Sequence, residues 1–385
     1  MQGLTLSDSL IPTAATDIRI DWCLLDELAS LQTFINTYWR RAHVLASDAE
    51  LLRWQFRNQQ DANRLSVLTA WEGKELLGFL GIIPATFNRY GEALPGAWLA
   101  MWSTAPHARG RRVGLALMRR ALEGPYELVG ALGLNETVTR IFRSLGFFVC
   151  ESIPRWIRIL SVPALERLLT KVTSIPSEAW SDLGDTGQIT PITRPASIRI
   201  QEWNSETAAR WDTAWRGDFA PRLVSTWKDA AYIKWRYVDH PRFEYAVRLA
   251  EDVKTGAVTG ITVYRVERVR GGEGSVLRVL EFLGWDSAGQ ALASTIIEAG
   301  ATAGCAFADF FCTSPPCAVS LEAAGFVQED RLPALPSLFQ PLDVNRVHLN
   351  GAWSVINGSR EFNRTFFDTT ALYATRSDGD QDRPS

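Results

Sequence analysis

The chain is poor in the residues that bind metals. Its 385 residues include four histidines (His43, His107, His240, His348) and five cysteines (Cys23, Cys150, Cys305, Cys312, Cys317). No two histidines share a helical turn and the cysteines lack ligand spacing, so no metal site is expected. An odd cysteine count also argues against a disulfide framework. Neither sign of charge dominates: 40 basic against 43 acidic residues give a formal net charge of -3. That balance speaks against tracking a nucleic-acid backbone, which needs a clustered basic surface. Long apolar runs are missing as well. The densest, Leu76 to Ile83, is far short of the roughly 20 residues that cross a bilayer. The N-terminal stretch carries acidic residues and no basic head, unlike a signal peptide. A soluble cytoplasmic protein is expected, with neither nucleic acid nor membrane as partner, as a monomer or homodimer.

Tryptophan, by contrast, is abundant, with fifteen copies, and its placement exposes a duplication. Ile18-Arg19-Ile20 returns as Ile198-Arg199-Ile200, and Trp39-Arg40 as Trp215-Arg216. The segment around Trp54, LLRWQFRNQ, resembles YIKWRYVDH around Trp235. Gly78 matches Gly260, and Gly146-Phe147 matches Gly325-Phe326. Five matches in one order, each separated by about 180 residues, read as two copies of one domain. Periodicity predicts strands at Leu65–Trp71 and Leu77–Pro84 around a turn at Glu72-Gly73-Lys74, and further strands at Ala97–Thr104, Leu128–Leu132 and Arg155–Leu160. Helices are predicted at Leu24–Arg40, Val113–Glu123 and Val138–Leu145. The second copy repeats this order from Ala246 to Phe311. The fold class is therefore α/β (α+β), with units at 1–165 and 197–345, a polar linker at 166–196 and an extension at 346–385.

The stretch Trp102–Leu122, W-S-T-A-P-H-A-R-G-R-R-V-G-L-A-L-M-R-R-A-L, ends a strand and runs through an Arg/Gly loop into a helix. A helix start offers unpaired amides and the positive end of its dipole, which suits a phosphate. Gly110 and Gly114 permit close approach, and Arg109, Arg111 and Arg112 add charge. The stretch resembles the acyl-CoA loop of the GNAT acyltransferase superfamily, with Arg109 in its first place, Gly114 in its last, and Arg112 where the family prefers glycine. Asn135, followed eleven residues later by Gly146-Phe147, resembles the family's asparagine that contacts the pantetheine arm. An asparagine N-cap is the plainer reading of the same residue.

The resemblance implies two tandem GNAT-like domains, each a mixed, mostly antiparallel sheet flanked by helices, and acetyl-CoA or another short acyl-CoA as cosubstrate. It implies cofactor contacts from Trp102, Ser103, Thr104, Arg109, Gly110, Arg111, Arg112, Val113, Gly114, Leu115, Ala116, Asn135 and Phe142. In the second copy the loop reads L-G-W-D-S-A-G-Q-A-L, without arginine and with Asp286, and Ser314 stands in place of Asn135; loss of cofactor binding is expected there. Phe142 occupies the position where the family often has a proton-donating tyrosine. The main chain at Ser103 or Thr104 is the expected oxyanion donor. Glu281 and Asp309, in apolar strand runs, and Asp378 and Asp380, near the C-terminus, are the carboxylates considered for catalysis. Asp382 shares their tail, whose plainer reading is a solvated end. His107 is expected to be a neighbour of the loop, and Tyr232 and Tyr237 to pack. The expected acceptor is the amine of an amino sugar, nucleotide-linked, as in the surface-polysaccharide proteins that the chain resembles. A tRNA-dependent aminoacyl transferase and a non-catalytic acyl-CoA-binding protein are the alternatives.

Overall fold

The computed structural model describes residues 18–169, 194–270, 273–313, 318–332, 335–339, 342–343, 348–368 and 370–382. Most of the expected linker and Ser314 lie outside the described residues. The strands are β1 (Ile18–Leu24), β2 (Arg64–Glu72), β3 (Glu75–Arg89), β4 (Glu92–Thr104), β5 (Leu128–Leu132), β6 (Phe148–Cys150), β7 (Arg155–Ile159), β8 (Ile198–Glu202) and β9 (Val224–Thr226). They continue with β10 (Ala246–Asp252), β11 (Val258–Arg268), β12 (Ser275–Gly284), β13 (Phe307–Phe311), β14 (Val327–Gln328), β15 (Leu338–Phe339), β16 (Leu342–Asp343), β17 (Gly351–Val355) and β18 (Leu372–Tyr373).

Two large sheets form, and their strand orders match. The first runs β1-β2-β3-β4-β5-β17-β6 and the second β8-β10-β11-β12-β13-β7-β14. In each, four antiparallel strands lead into one parallel pair, β4 with β5 and β12 with β13. The hairpin between β2 and β3 turns at Gly73, as the sequence predicts. The molecule is thus an α+β protein of two mixed, mostly antiparallel sheets, the duplicated architecture expected.

Sheet membership departs from chain order: β9 of the second half pairs β3 in the first sheet and carries β18 beside it, and two further strands are exchanged. The strand at 155–160, expected to close the first copy, joins the second sheet as β7, between β13 and β14. In return β17, from the extension, enters the first sheet between β5 and β6. Side-chain partners explain both moves. Arg155 of β7 finds its carboxylates, Asp309 at 2.7 Å and Glu329 at 2.8 Å, only in the second half. Trp353 of β17 is buried between Trp98 and Phe367 in the first core. Each half is therefore completed by the other, and the segment after residue 346 is a sheet component. The helix Val162–Leu169 occupies the start of the expected linker and buries Leu165 and Leu168.

Both halves carry a π-helical turn, Ile35–Trp39 and Trp215–Phe219, but the repeated Trp-Arg pair ends the first and opens the second, so Trp39 stands where the second half has Phe219. The two tryptophans differ in environment accordingly. Trp215 is 0% exposed and packs on Trp211 and Trp227, whereas Trp39 is 38% exposed.

Between the halves, His240 is 8% exposed, with Trp54 at 4.4 Å and Phe243 stacked at 5.1 Å. Its Nδ1 accepts the Arg242 and Phe243 amides. Burial, assisted by the charge of Arg236, lowers its pKa to about 3. The folded value lies below the unfolded one, so this contribution to stability is complete above about pH 6.5 and declines as pH falls towards 3. The slope is about 1.4 kcal/mol per pH unit. His240→Phe is expected to flatten the urea-unfolding free energy between pH 6.5 and 4.5 relative to the parent. Parallel pH profiles in parent and variant would disprove the assignment.

Candidate active site

The pairing of β4 with β5 ends at Leu99 and Ala131, yet β4 continues to Thr104. The two strands part there. Across β3, Phe79 faces Ser103 but Gly81 faces Ala100, so β4 carries one extra residue. The bulge is centred on Met101, whose φ of 54° is unusual for an unbranched side chain and costs on the order of 1–3 kcal/mol. Such a bulge re-aims the strand and frees main-chain groups from the ladder. An opening of about 150 Å³ lies at the fork, lined by Leu99, Met101, Trp102, Asn135, Phe142 and Asp380 among others.

A wider groove of about 570 Å³ adjoins this opening and shares Trp39, Trp102, Asn135 and Val138 with it. Its floor is the loop after β4. Pro106–Ala108 makes one tight turn, Arg112 adopts φ 62°, and the helix Val113–Leu122 begins. Arg112 caps that helix without a side-chain hydrogen bond. The first-turn amides, which have no partner within a helix, are therefore left for a ligand. Gly114 has a steric reason to be glycine: a Cβ there would lie 3.2 Å from Thr104 Oγ1 and 3.3 Å from Trp102 Nε1. The Trp102 indole donates to the Gly114 carbonyl at 3.1 Å and locks the contact.

Arg109, Gly110, Arg112, Val113, Gly114, Leu115, Trp102, Ser103 and Thr104 all line this groove. Arg111 does not share in it. Its guanidinium makes a bidentate bond to Glu72 on β2, at 3.0 and 2.5 Å, which holds the Glu72 carboxyl below its usual range. Ala116, one position further along the helix, is exposed. His107 pairs with Glu75 at 3.0 Å on the surface. Asn135 is the N-cap of the helix Glu136–Ser144, accepting the Val138 amide at 2.9 Å, while lining groove and opening alike. Phe142 is buried against Phe147 and Trp102 and forms a wall of the opening.

The four carboxylates considered for catalysis are sorted clearly by the fold. Asp380, 5% exposed, lines the opening beside Gln381, which donates to it at 2.8 Å and to the Leu132 carbonyl at 3.3 Å. Asp378 lies deeper and accepts from Lys228 at 2.9 Å, Thr226 at 2.7 Å and the Thr375 amide at 2.8 Å. Glu281 shares the same lysine at 2.7 Å and accepts from Tyr237 and Tyr373. Burial pulls the Lys228 pKa down, but Asp378 and Glu281 outweigh it and keep the amine protonated. Asp309 lies on β13 of the second sheet. Burial pushes its carboxyl up, yet Arg278 and Arg155 hold it below the usual range. Glu281 and Asp378 therefore fasten the C-terminal segment, and Asp309 fastens β7.

A separate cavity of about 460 Å³ lies beside β3 and β4, with Trp98, Tyr126, Trp227, Tyr232 and Trp235 in its walls. Trp98 faces this cavity and its neighbour Leu99 faces the opening, as side chains alternate along a strand. The C-terminal turn passes between the two spaces, with Ser377 and Gly379 on the cavity side and Asp380 and Gln381 on the other.

In the second half the equivalent space is filled. A Cβ on Gly289 would fall 2.1 Å from Ser320 Oγ and 2.6 Å from the Gly284 carbonyl, so the helix Asp286–Thr302 abuts its neighbours directly. Trp285 stacks on Phe219 at 4.7 Å. At the β12 and β13 fork, Tyr373 accepts the Phe282 amide at 3.0 Å.

Residues 35–142 match the sequence profile of the acetyltransferase (GNAT) domain. That segment is similar to a GNAT domain. Arg109, Gly110, Arg112, Val113 and Gly114 of the groove all fall within that segment. Among solved structures, the chain is similar to GCN5-related N-acetyltransferases from Anabaena variabilis and Kribbella flavida. The first shares 14% identity over 88% of this chain and 73% of that one, with a TM-score of 0.54. The second shares 18% over 90% and 73%, with a TM-score of 0.55. N-myristoyltransferase from Saccharomyces cerevisiae, solved with bound myristoyl-CoA, shares 12% over 92% and 82%, with a TM-score of 0.54. These likenesses concern the fold of both halves. No curated protein matches the chain in sequence.

Sequence reasoning did not single out Met101, Tyr38 or Gln381 for this site. The Trp39 repeat was visible, but as a marker of duplication; only its exposure beside the groove marks it as a site residue.

Proposed function

We propose that the protein is an N-acyltransferase that moves an acetyl or other short acyl group from CoA to the amine of an amino sugar, nucleotide-linked. The observation that carries the transfer chemistry is the continuous path from the Arg109–Gly114 loop to the β4 and β5 fork, ending at the buried carboxylate of Asp380. The pyrophosphate would lie on the helix start with Arg109 and Arg112, and the thioester at the fork. The amine would arrive from the 460 Å³ cavity on the other side of the C-terminal turn. Asp380 accepts the proton as the nitrogen attacks the thioester carbon. Main-chain amides at the Met101 bulge and Ser103 stabilise the oxyanion. Phe142 has no proton to give, so CoA leaves as its thiolate. Aromatic cavity walls favour a sugar-like acceptor, which can stack on them.

Calorimetric titration with CoA, followed by a thiol-release assay over amino sugars, tests this reading. Arg109→Ala and Arg112→Ala are each expected to weaken CoA binding by about 10-fold or more, the value of one charge-assisted hydrogen bond. Arg111→Ala should matter less, because its charge is committed to Glu72. Unchanged CoA affinity in the Arg109 and Arg112 variants would refute the loop assignment. Tight CoA binding without turnover on any amine would point to a binding protein.

A further inference from the structure

We propose that the 460 Å³ cavity recognises an anionic oxygen group on the acceptor, a phosphate or a carboxylate, through Arg236 and Arg57. The inference rests on the acyl-transfer reading above and names the chemistry of its second substrate.

The charges lining the cavity are unequal. Two guanidinium groups, Arg57 and Arg236, stand against one carboxylate, Asp229. Both oxygens of Asp229 are engaged: one accepts the Tyr232 amide at 3.0 Å and the other the Trp227 indole at 3.1 Å. Arg57 is exposed and has no ion-pair partner among the described residues.

Arg236 is the more telling group, because it is only 3% exposed. Its Nε donates to the Ser377 carbonyl at 3.0 Å and Nη2 to the Asp382 carbonyl at 3.2 Å. Nη1 has no hydrogen-bond partner among the described residues. The nearby Asp382 carboxylate is already bonded to Arg265 at 2.8 Å and to Tyr245 at 2.7 Å. Trp54 and Tyr237 flank the guanidinium but carry no charge to match it. A buried cation whose direct partners are all neutral is costly, and a ligand oxyanion would relieve that cost. Arginine is also the side chain best suited to phosphate and carboxylate.

Position completes the argument. Arg236 donates to Ser377 in the same turn that carries Asp380, so an anion held at the cavity leaves the amine of the same molecule to reach the fork. Trp98, Trp227 and Trp235 supply faces for the intervening ring. The acceptor is thus an amine joined by a ring to an oxyanion.

Tryptophan-fluorescence titration of the full chain, saturated with CoA so that nucleotides cannot enter the groove, is the test. The probes are glucosamine, glucosamine 6-phosphate, muramic acid, UDP-glucosamine and UDP alone. At least one charged amine is expected to bind 10-fold or more tightly than glucosamine, and Arg57→Glu to abolish that margin while leaving glucosamine and CoA binding unchanged. Preference among the charged probes distinguishes sugar phosphate, carboxylate and nucleotide diphosphate. Arg236→Lys, which keeps the charge but loses the fork of donors, should reduce the margin in part. Equal affinity for glucosamine and the charged amines, or no binding of any probe, overturns the inference. If CoA itself fails to bind, the acyl-transfer reading fails with it; if CoA binds and turnover proceeds without regard to acceptor charge, only the anion site falls.

Discussion

Asp380→Asn is expected to lower kcat by about 10²- to 10⁴-fold, the usual contribution of a general base, with CoA affinity unchanged. Of the four carboxylates considered, Asp380 alone lines the fork. Asparagine preserves the volume and can still accept from Gln381, whose side chain also holds the Leu132 carbonyl. The turn should therefore stay in place while the proton acceptor is lost. Steady-state thiol release with acetyl-CoA, with unfolding midpoints measured alongside, separates the two effects. Near-parental kcat in Asp380→Asn would remove Asp380 from the mechanism. Asp378→Asn makes the internal control. Its carboxylate is committed to Lys228, Thr226 and Thr375, so its loss should appear first as reduced stability.

The contrast between these neighbouring aspartates shows where sequence reading succeeds and where it stops. The cofactor loop was legible because its chemistry is local: the strand end, Pro106, the arginines, Gly114 and the helix start are consecutive. The duplication was legible because two copies can be compared within one chain. Residues fixed by pairing across the fold were not. Arg111 looks like a phosphate ligand until Glu72, on another strand, takes its guanidinium. The exchange of β7 and β17 leaves no mark in periodicity, since a strand reads alike in either sheet. The Met101 bulge is a register shift against β3, and register is a property of two strands. The acidic C-terminal end read as a solvated tail, yet Asp378, Asp380 and Asp382 are all buried. What holds the segment is Lys228 on Asp378, Arg265 on Asp382 and Arg236 on the Ser377 carbonyl, all roughly a hundred and more residues earlier.

Lys228→Met is expected to be the most destabilising single change, at about 3–5 kcal/mol near neutral pH. Lys228 is fully buried and bonded to Glu281 on β12 and Asp378 in the C-terminal turn, with the Tyr232 ring 4.9 Å from its amine. Removing the cation leaves two carboxylates facing each other without a counter-charge. Two buried like charges without a counter-ion repel and are poorly solvated, which is the source of the expected loss. The triple variant Lys228→Met, Glu281→Gln, Asp378→Asn removes all three charges and should recover much of the loss, because an uncharged set avoids the desolvation cost. Urea titrations of parent, single and triple variants provide the comparison. A deficit below about 1 kcal/mol would show that this cluster does not fasten the turn. Because that turn carries Asp380, Lys228→Met should also lose activity through displacement of the base, whereas the triple variant should regain turnover together with stability. Recovery of stability without turnover would mean that the charges position Asp380 as well as hold the chain.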